Sequence, residues 1–293
     1  MRAAPLLLLP SLALGCRQVP PAPEELDELC GYLFAHFDDE HPEALQEGLT
    51  NLDTWLLGHL EETLEGYSVT SLSEETIDAL DDRARNPDDM IGAAVGTESV
   101  HTPYALGVPQ VVDDQEELFP DSHDHYERTY LTDADCFVEQ RCEDAAVQNY
   151  IEDTYPIIGS VITHNHGQYR WIETEKGTAW IQRTWFDVPA ELEVDWISIQ
   201  DQYYLNLLLP QEGGTLTLQS MWIEAYWDGL PVSENMAQNL LISQMQNIYT
   251  QMDEYIAAHG ARVEPEGCAT AGDRGAWGLL ALLGLPLLRR RRG

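Results

Sequence analysis

Apolar positions recur every three or four residues through the first third of the chain and cluster into short β-type runs later. Between Pro23 and Arg85, Leu26, Leu29, Leu33 and the His36-Phe37 step fall on one face of a first helix. Leu45, Leu49, Leu52, Leu56 and Leu60 do the same for a second, the spacing of helices that bury one stripe. Pro42 stands near the start of the second helix and Gly66 at its end, matching the usual start and stop chemistry. Ser73, ahead of Glu74, Glu75 and Ile77, predicts a short third helix with Ser73 as its N-cap. The stretch 86–123 is interrupted by Pro87, Pro103, Pro109, Pro120 and several glycines, and reads as a connector.

From Tyr126 the pattern changes. A strand is expected over 127–131 and one or two helices over 133–151. Runs rich in β-branched and aromatic residues follow at 160–163, 168–174, 178–187, 194–200, 203–209 and 215–226. The breaks between them are short, at 175–177, 188–190, 201–202 and 212–214, so successive strands must lie antiparallel. Ser233 to Ala258 closes the pattern as a long amphipathic helix stopped by Gly260, with Ala237, Leu241, Met245, Ile248, Met252 and Tyr255 as its apolar stripe. The expected fold class is α+β: an antiparallel β meander gripped by a long C-terminal helix, preceded by an N-terminal helical region over 24–85. The element order over 124–260 resembles the helix-grip fold of the START/polyketide-cyclase (SRPBCC) superfamily. That resemblance implies a twisted sheet and a helix enclosing a cavity for a hydrophobic or amphipathic small molecule. The rival expectation is a sheet whose face is packed shut by the same helix.

The two ends carry addresses. Met1-Arg2 is followed by a 12-residue apolar run, Ala3 to Leu14, and then Gly15-Cys16, the parts of a secretory signal over 1–15. Twelve helical residues reach about 18 Å, short of a bilayer core of roughly 30 Å. Leu12-Ala13-Leu14-Gly15-Cys16 resembles a bacterial lipobox, which implies lipidation of Cys16, although Ala13 stands where that family usually has a large aliphatic residue. An ordinary signal cut after Gly15 would leave the same N-terminus without lipid. Residues 16–23, with Pro20, Pro21 and Pro23, read as an extended tether. At the other end, Cys268 among small residues, an apolar run from Gly275 to Leu288 and the block Arg289 to Arg292 resemble the myxobacterial MYXO-CTERM sorting tail, here 261–293. The resemblance implies processing near Cys268, partnership with export and sorting machinery, and display at the cell envelope, outer membrane or surface, with membrane contact through the terminal anchors only. Cys268→Ala should therefore leave full-length, unprocessed protein in membrane fractions, detected by blotting against both ends. Normal trimming of that variant would reject the assignment.

Charge narrows the partners. The chain carries 15 basic and 51 acidic residues, a formal net charge of −36. Nine of the basic and 50 of the acidic residues lie within 17–267, so the body is more acidic still. A surface of this sign repels phosphate backbones, which excludes nucleic acid as a partner. It leaves open a second class of role, a structural or adhesive acidic surface protein without a ligand pocket.

Candidate chemistry is sparse. With Cys16 and Cys268 assigned to processing, Cys30, Cys136 and Cys142 remain for an oxidising compartment. Cys136 and Cys142 are the nearest pair. Within one helix they would stand about 9 Å apart along the axis, beyond disulfide reach of about 7 Å, so a bond between them requires a break; Cys30 to either one is the alternative. His123-x-His125 and His164-x-His166 have chelating spacing, yet both pairs sit beside turn residues in an acidic chain, where solvated loop histidines are the simpler reading. No nucleophile elbow, zinc-protease motif or phosphate-binding glycine loop occurs, so neither an enzyme nor a cofactor is expected. Trp171, Trp180, Trp196, Trp222 and Tyr226 lie on mixed apolar and hydrogen-bonding strand faces. They are candidates for lining a ligand pocket, against the alternative that they fill the core.

Overall fold

The computed structural model describes residues 21–265 except 82, 84, 86–89, 156–157 and 229–232. The signal segment with Cys16, most of the tether, and the tail from residue 266 onward, with Cys268, lie outside the described residues. The N-terminal periodicity resolves into α1 (Leu26–Ala35), α2 (Glu43–Glu65), a short strand β1 (Tyr67–Val69) and α3 (Glu74–Asp78). Leu26, Leu29, Leu33, Leu45, Leu49, Leu52 and Leu56 are all buried. Ser73 caps α3, its Oγ accepting from the Thr76 amide at 3.1 Å. No described helix is long and apolar enough to cross a membrane.

The stretch 86–123, expected as a connector, instead supplies β2 (Ile91–Ser99), α4 (Pro103–Val112) and α5 (Gln115–Leu118). β2 pairs in antiparallel register with β9 (Gly214–Trp227), from Ile91 opposite Ile223 to Ser99 opposite Thr215. Its glycines are packing devices. A Cβ on Gly96 would come within 2.8 Å of Thr63 Cγ2, so glycine lets α2 approach the sheet. The expected helical stretch 133–151 is also corrected. Only α6 (Ala134–Val138) is helical, the chain reverses through Gln140 at φ 54°, and Asp144–Tyr155 is strand β4. Buried Ala145, Val147 and Asn149 alternate along that strand, a period of two that the alanines disguise. Cys136 and Cys142 straddle the reversal and are disulfide-bonded, with Cα atoms 5.3 Å apart. Cys30 is a buried free thiol that accepts from the Ser220 hydroxyl at 3.0 Å.

The remaining strands are β3 (His125–Tyr130), β5 (Gly159–Thr174), β6 (Gly177–Phe186), the two-residue β7 (Glu191–Leu192) and β8 (Ile197–Gln211). β8 joins two runs that the sequence separates at 201–202: the irregularity there is a β-bulge between Ile199 and Asp201, not a turn. Together they form one nine-stranded sheet in the order β1-β2-β9-β8-β6-β5-β4-β3, with β7 paired to β5. The final helix, α7 (Glu234–His259), starts at Ser233, whose side chain accepts from the Met236 amide, and ends at Gly260. The architecture is α+β with an antiparallel sheet gripped by a long C-terminal helix, the helix-grip arrangement.

Both faces of the sheet are covered. On the outer face, α1, α2 and α3 bury a continuous apolar layer that includes Ile181, Leu205, Leu207, Leu218 and Trp222. On the inner face, α4, α5 and α6 pack over Val147, Tyr169, Trp171, Trp180 and Leu208. Leu241 and Met245 of α7 seal the other end against Ala93, Val95, Tyr204 and Met221. Strand alternation assigns each side chain to its face: Tyr203, Leu205 and Leu207 point outward, and Tyr204, Asn206 and Leu208 inward.

Candidate functional site

The two faces differ in chemistry. Between the apolar patches under α4–α6 and under α7, the inner face carries a belt of buried polar side chains: Asn149, Asn165, Gln182, Asn206 and Gln219. Gln219, Asn206 and Gln182 are cross-strand partners on β9, β8 and β6, so their amides form a row across the sheet. Arg128 on β3 extends the belt, donating from Nε to Asn149 Oδ1 at 2.9 Å, and Asn149 Nδ2 donates to Asn165 Oδ1 at 2.8 Å. From α4, Gln110 Oε1 accepts from Asn206 Nδ2 at 3.2 Å.

A cavity of about 140 Å³ opens between this belt and the helices α5 and α7. Its polar wall includes Arg128, Asn149, Asn165 and Gln182; Phe119, Tyr204, Met221 and Ile248 supply the apolar wall. Burial in such a place normally demands that every polar atom be hydrogen-bonded. Here Gln182 Oε1 and Asn206 Oδ1 have no partner. Gln182 is only 9% exposed and lines the cavity, so its carbonyl oxygen is a buried acceptor that lacks a donor.

His123 sits at the same cavity, its Nδ1 3.2 Å from Asp153 Oδ1 and its ring 5.2 Å from that of Tyr126. The other histidines singled out in the sequence lie elsewhere. His125 is held between Glu116 and Glu127 at 3.0 and 3.2 Å; these hydrogen bonds, Glu127 first, raise its pKa. His164 lies beside Tyr150. His166 stacks on Trp185 and pairs with Asp187 at 2.9 Å. One histidine of each pair, His125 and His164, packs against the Tyr150 ring, with centroids 6.1 and 5.1 Å away, and among the described residues no group of three or more His, Cys, Asp or Glu is placed to hold a metal.

The aromatic candidates do not line this cavity. Trp171 is stacked on Phe137 and donates from Nε1 to the Phe137 carbonyl at 3.0 Å. Trp180 is completely buried in the layer under α4–α6. Trp222 points to the opposite face, edge-on to Phe34, with Nε1 donating to the Thr70 carbonyl at 2.8 Å. Trp196 is paired with Trp227, and Tyr226 is 44% exposed. Alternation along the strands separates these rings between the two faces, so the five cannot share one pocket. Position by position, the signal that marks the real wall is different: an amide set next to apolar strand residues, as with Gln182 directly after Trp180 and Ile181.

No protein-family model matches the chain, and neither does any curated protein. Its fold is similar to that of several solved structures. The STAR-related lipid transfer protein of Xanthomonas axonopodis is 10% identical, with 59% of this chain and 97% of that one covered at a TM-score of 0.38. A START superfamily protein from Mycobacterium smegmatis is 12% identical, with 58% and 98% covered at 0.36. The human StarD13 lipid transfer and protein localization domain is 11% identical, with 70% and 95% covered at 0.35. At such identities the likeness concerns the fold alone.

Proposed function

We propose that this chain is a non-enzymatic binding protein of the cell envelope that holds a small amphipathic molecule between α7 and the inner face of its sheet. The observation that carries the reading is the unpartnered Gln182 Oε1 in a cavity with one polar and one apolar wall. Unpaired buried acceptors cost about 1–3 kcal/mol each, and a ligand hydroxyl or amide N–H would remove that cost. The volume sets the scale. About 140 Å³ is well below the roughly 300–1,000 Å³ of drug-sized sites, so the occupant is smaller than a sterol or a diacyl lipid. Amides bind and orient but do not shuttle protons, which supports binding over catalysis.

Gln182→Leu should separate binding from folding. It replaces an unsatisfied polar group with an apolar one of similar size, so stability should stay within about 1 kcal/mol of wild type or rise. Native mass spectrometry of protein isolated from its own membranes should show a small co-purifying ligand on the wild type and none on the variant. Identical spectra for the two, both free of adduct, would reject the cavity as a binding site. A second reading, proton-transfer catalysis, draws on one observation, the His123–Asp153 pair at the cavity. It requires a His123→Gln protein that retains the ligand but no longer converts it.

A further inference from the structure

Resting on that reading, the charge balance of the cavity points to the class of ligand. The described arginines of this acidic chain are mostly matched by carboxylates. Arg83 and Arg85 pair with Asp201, Arg183 with Asp38, Arg141 with Glu139 and Arg262 with Asp113. Arg170 donates to backbone carbonyls, and Asp38, Asp39, Glu40, Glu143 and Asp144 line the same cleft.

Arg128 is different. Its four hydrogen bonds go to neutral acceptors: Asn149 Oδ1, the carbonyls of Gln110 and Val111 at 2.8 and 2.5 Å, and the hydroxyl of Tyr126. Among the described residues no carboxylate lies within ion-pairing distance of it. Burial pushes the hydroxyls of Tyr126 and Tyr169 upward, so neither ring supplies a negative charge at neutral pH. A guanidinium has five N–H donors, and with four used, one remains on Nη2. A half-buried positive charge thus lines a cavity and is held there by four neutral groups that fix its orientation without compensating it.

We infer that the cavity takes a small carboxylate, its anionic end on Arg128, its polar substituent donating to Gln182 Oε1 and its apolar portion against Phe119, Met221 and Ile248. A carboxylate fits because the remaining Nη2–H can donate a charge-assisted hydrogen bond to one of its oxygens, and the fixed positive charge of Arg128 then gains the counter-charge that its neutral partners do not supply. The strong negative charge of the body makes this selective. Away from Arg128, the surface repels anions, and at physiological salt that repulsion falls off over about 8 Å.

Benzoate, benzamide and benzylamine are near-isosteric probes of anionic, neutral and cationic character, small enough for the test. Calorimetric titration of the processed protein should show benzoate binding at least about tenfold more tightly than benzamide, with benzylamine weakest. Arg128→Met should bring benzoate and benzamide to equal affinity; Arg128→Lys should keep the order with a smaller gap. Equal affinity of wild type for benzoate and benzamide would overturn the carboxylate assignment while leaving the cavity reading intact. Failure of all three probes to bind folded wild type would overturn both. The comparison within wild type decides the matter even where Arg128→Met does not fold.

Discussion

Replacing Trp180 with alanine should destabilise the protein by about 3–5 kcal/mol, the usual cost of deleting a fully buried tryptophan, and should do so without the ligand as intermediary. Trp180 has no exposed surface. It lies under α4 with Tyr169 5.7 Å away, ring to ring, and α4 approaches it so closely that a Cβ on Gly107 would stand 2.9 Å from three of its ring atoms. The ring is therefore the floor on which α4 rests, and Gly107 is glycine because of it. Three further variants sharpen the test. Gly107→Ala alone should destabilise by about 1–3 kcal/mol through overpacking, and it should be tolerated in the Trp180→Ala background, where the space is free. Tyr226→Ala, at an exposed site whose hydroxyl donates to the buried Glu224 carboxylate, should cost about 1–2 kcal/mol, the loss of that hydrogen bond and well short of the Trp180→Ala effect. Urea unfolding measures all four proteins. A Trp180→Ala protein as stable as wild type but unable to bind the cavity's ligand would transfer Trp180 from core to cavity wall.

That distinction marks how far the fold and the site were legible in the sequence. Helices with a clean stripe, α1, α2 and α7, and the strands β6 and β9 stand out because one face of each is apolar at a single period. β2 escaped notice because Gly92 and Gly96, which admit neighbouring side chains closely, look like loop residues. β4 escaped because its alanines fit helix and strand alike, and only the pairing from Asp144 opposite Arg170 to Tyr155 opposite Gly159 decides between them. The site was harder for a different reason. Aromatic residues attract attention as ligand contacts, yet a sheet covered on both faces needs large side chains simply to fill its core, and Trp180 and Trp222 do so on opposite faces. The cavity wall is made of Asn149, Asn165 and Gln182, unremarkable one at a time. They become a site only when cross-strand register brings them together, and register is set by pairings no single segment encodes. Arg128 belongs to the same class, since its lack of a carboxylate partner is a property of three dimensions.

Asp201→Ala should be the second large loss, about 3 kcal/mol, at the low end of the cost of removing one member of a buried ion pair. Asp201 sits at the bulge of β8 with its side chain 2% exposed, accepting from Arg85 Nε at 2.9 Å and pairing with Arg83 at 3.0 Å. The Arg85 side chain is fully buried and also donates to Asp81 at 2.6 and 2.8 Å and to the Phe186 carbonyl at 3.1 Å. This cluster fastens the segment after α3 to the end of β6 and the bulge of β8. Because Asp81 still compensates Arg85 when Asp201 is gone, the loss falls short of the full cost of an orphaned buried charge. Acid pH provides the sharper test. For Asp201, burial outweighs the two arginines and raises its pKa above the ordinary 3.8. The folded state therefore takes up that proton before the unfolded state does, and this group's contribution to stability grows as pH falls towards 3.8. Asp81 behaves oppositely. Burial raises it, but hydrogen bonds from Arg85 and the Arg83 amide prevail and hold it below 3.8, so its contribution is present above 3.8 and is lost as pH falls further. The stability gap between wild type and Asp201→Ala should consequently widen, not close, between neutral pH and about pH 4 in urea titrations at fixed ionic strength. An exposed ion pair would give the reverse, a gap that narrows as the carboxylate is protonated. A narrowing gap would thus mean that the attraction of Arg83 and Arg85 outweighs the cost of burying Asp201, and that the cluster owes its stability to charge rather than to the hydrogen bonds that survive protonation.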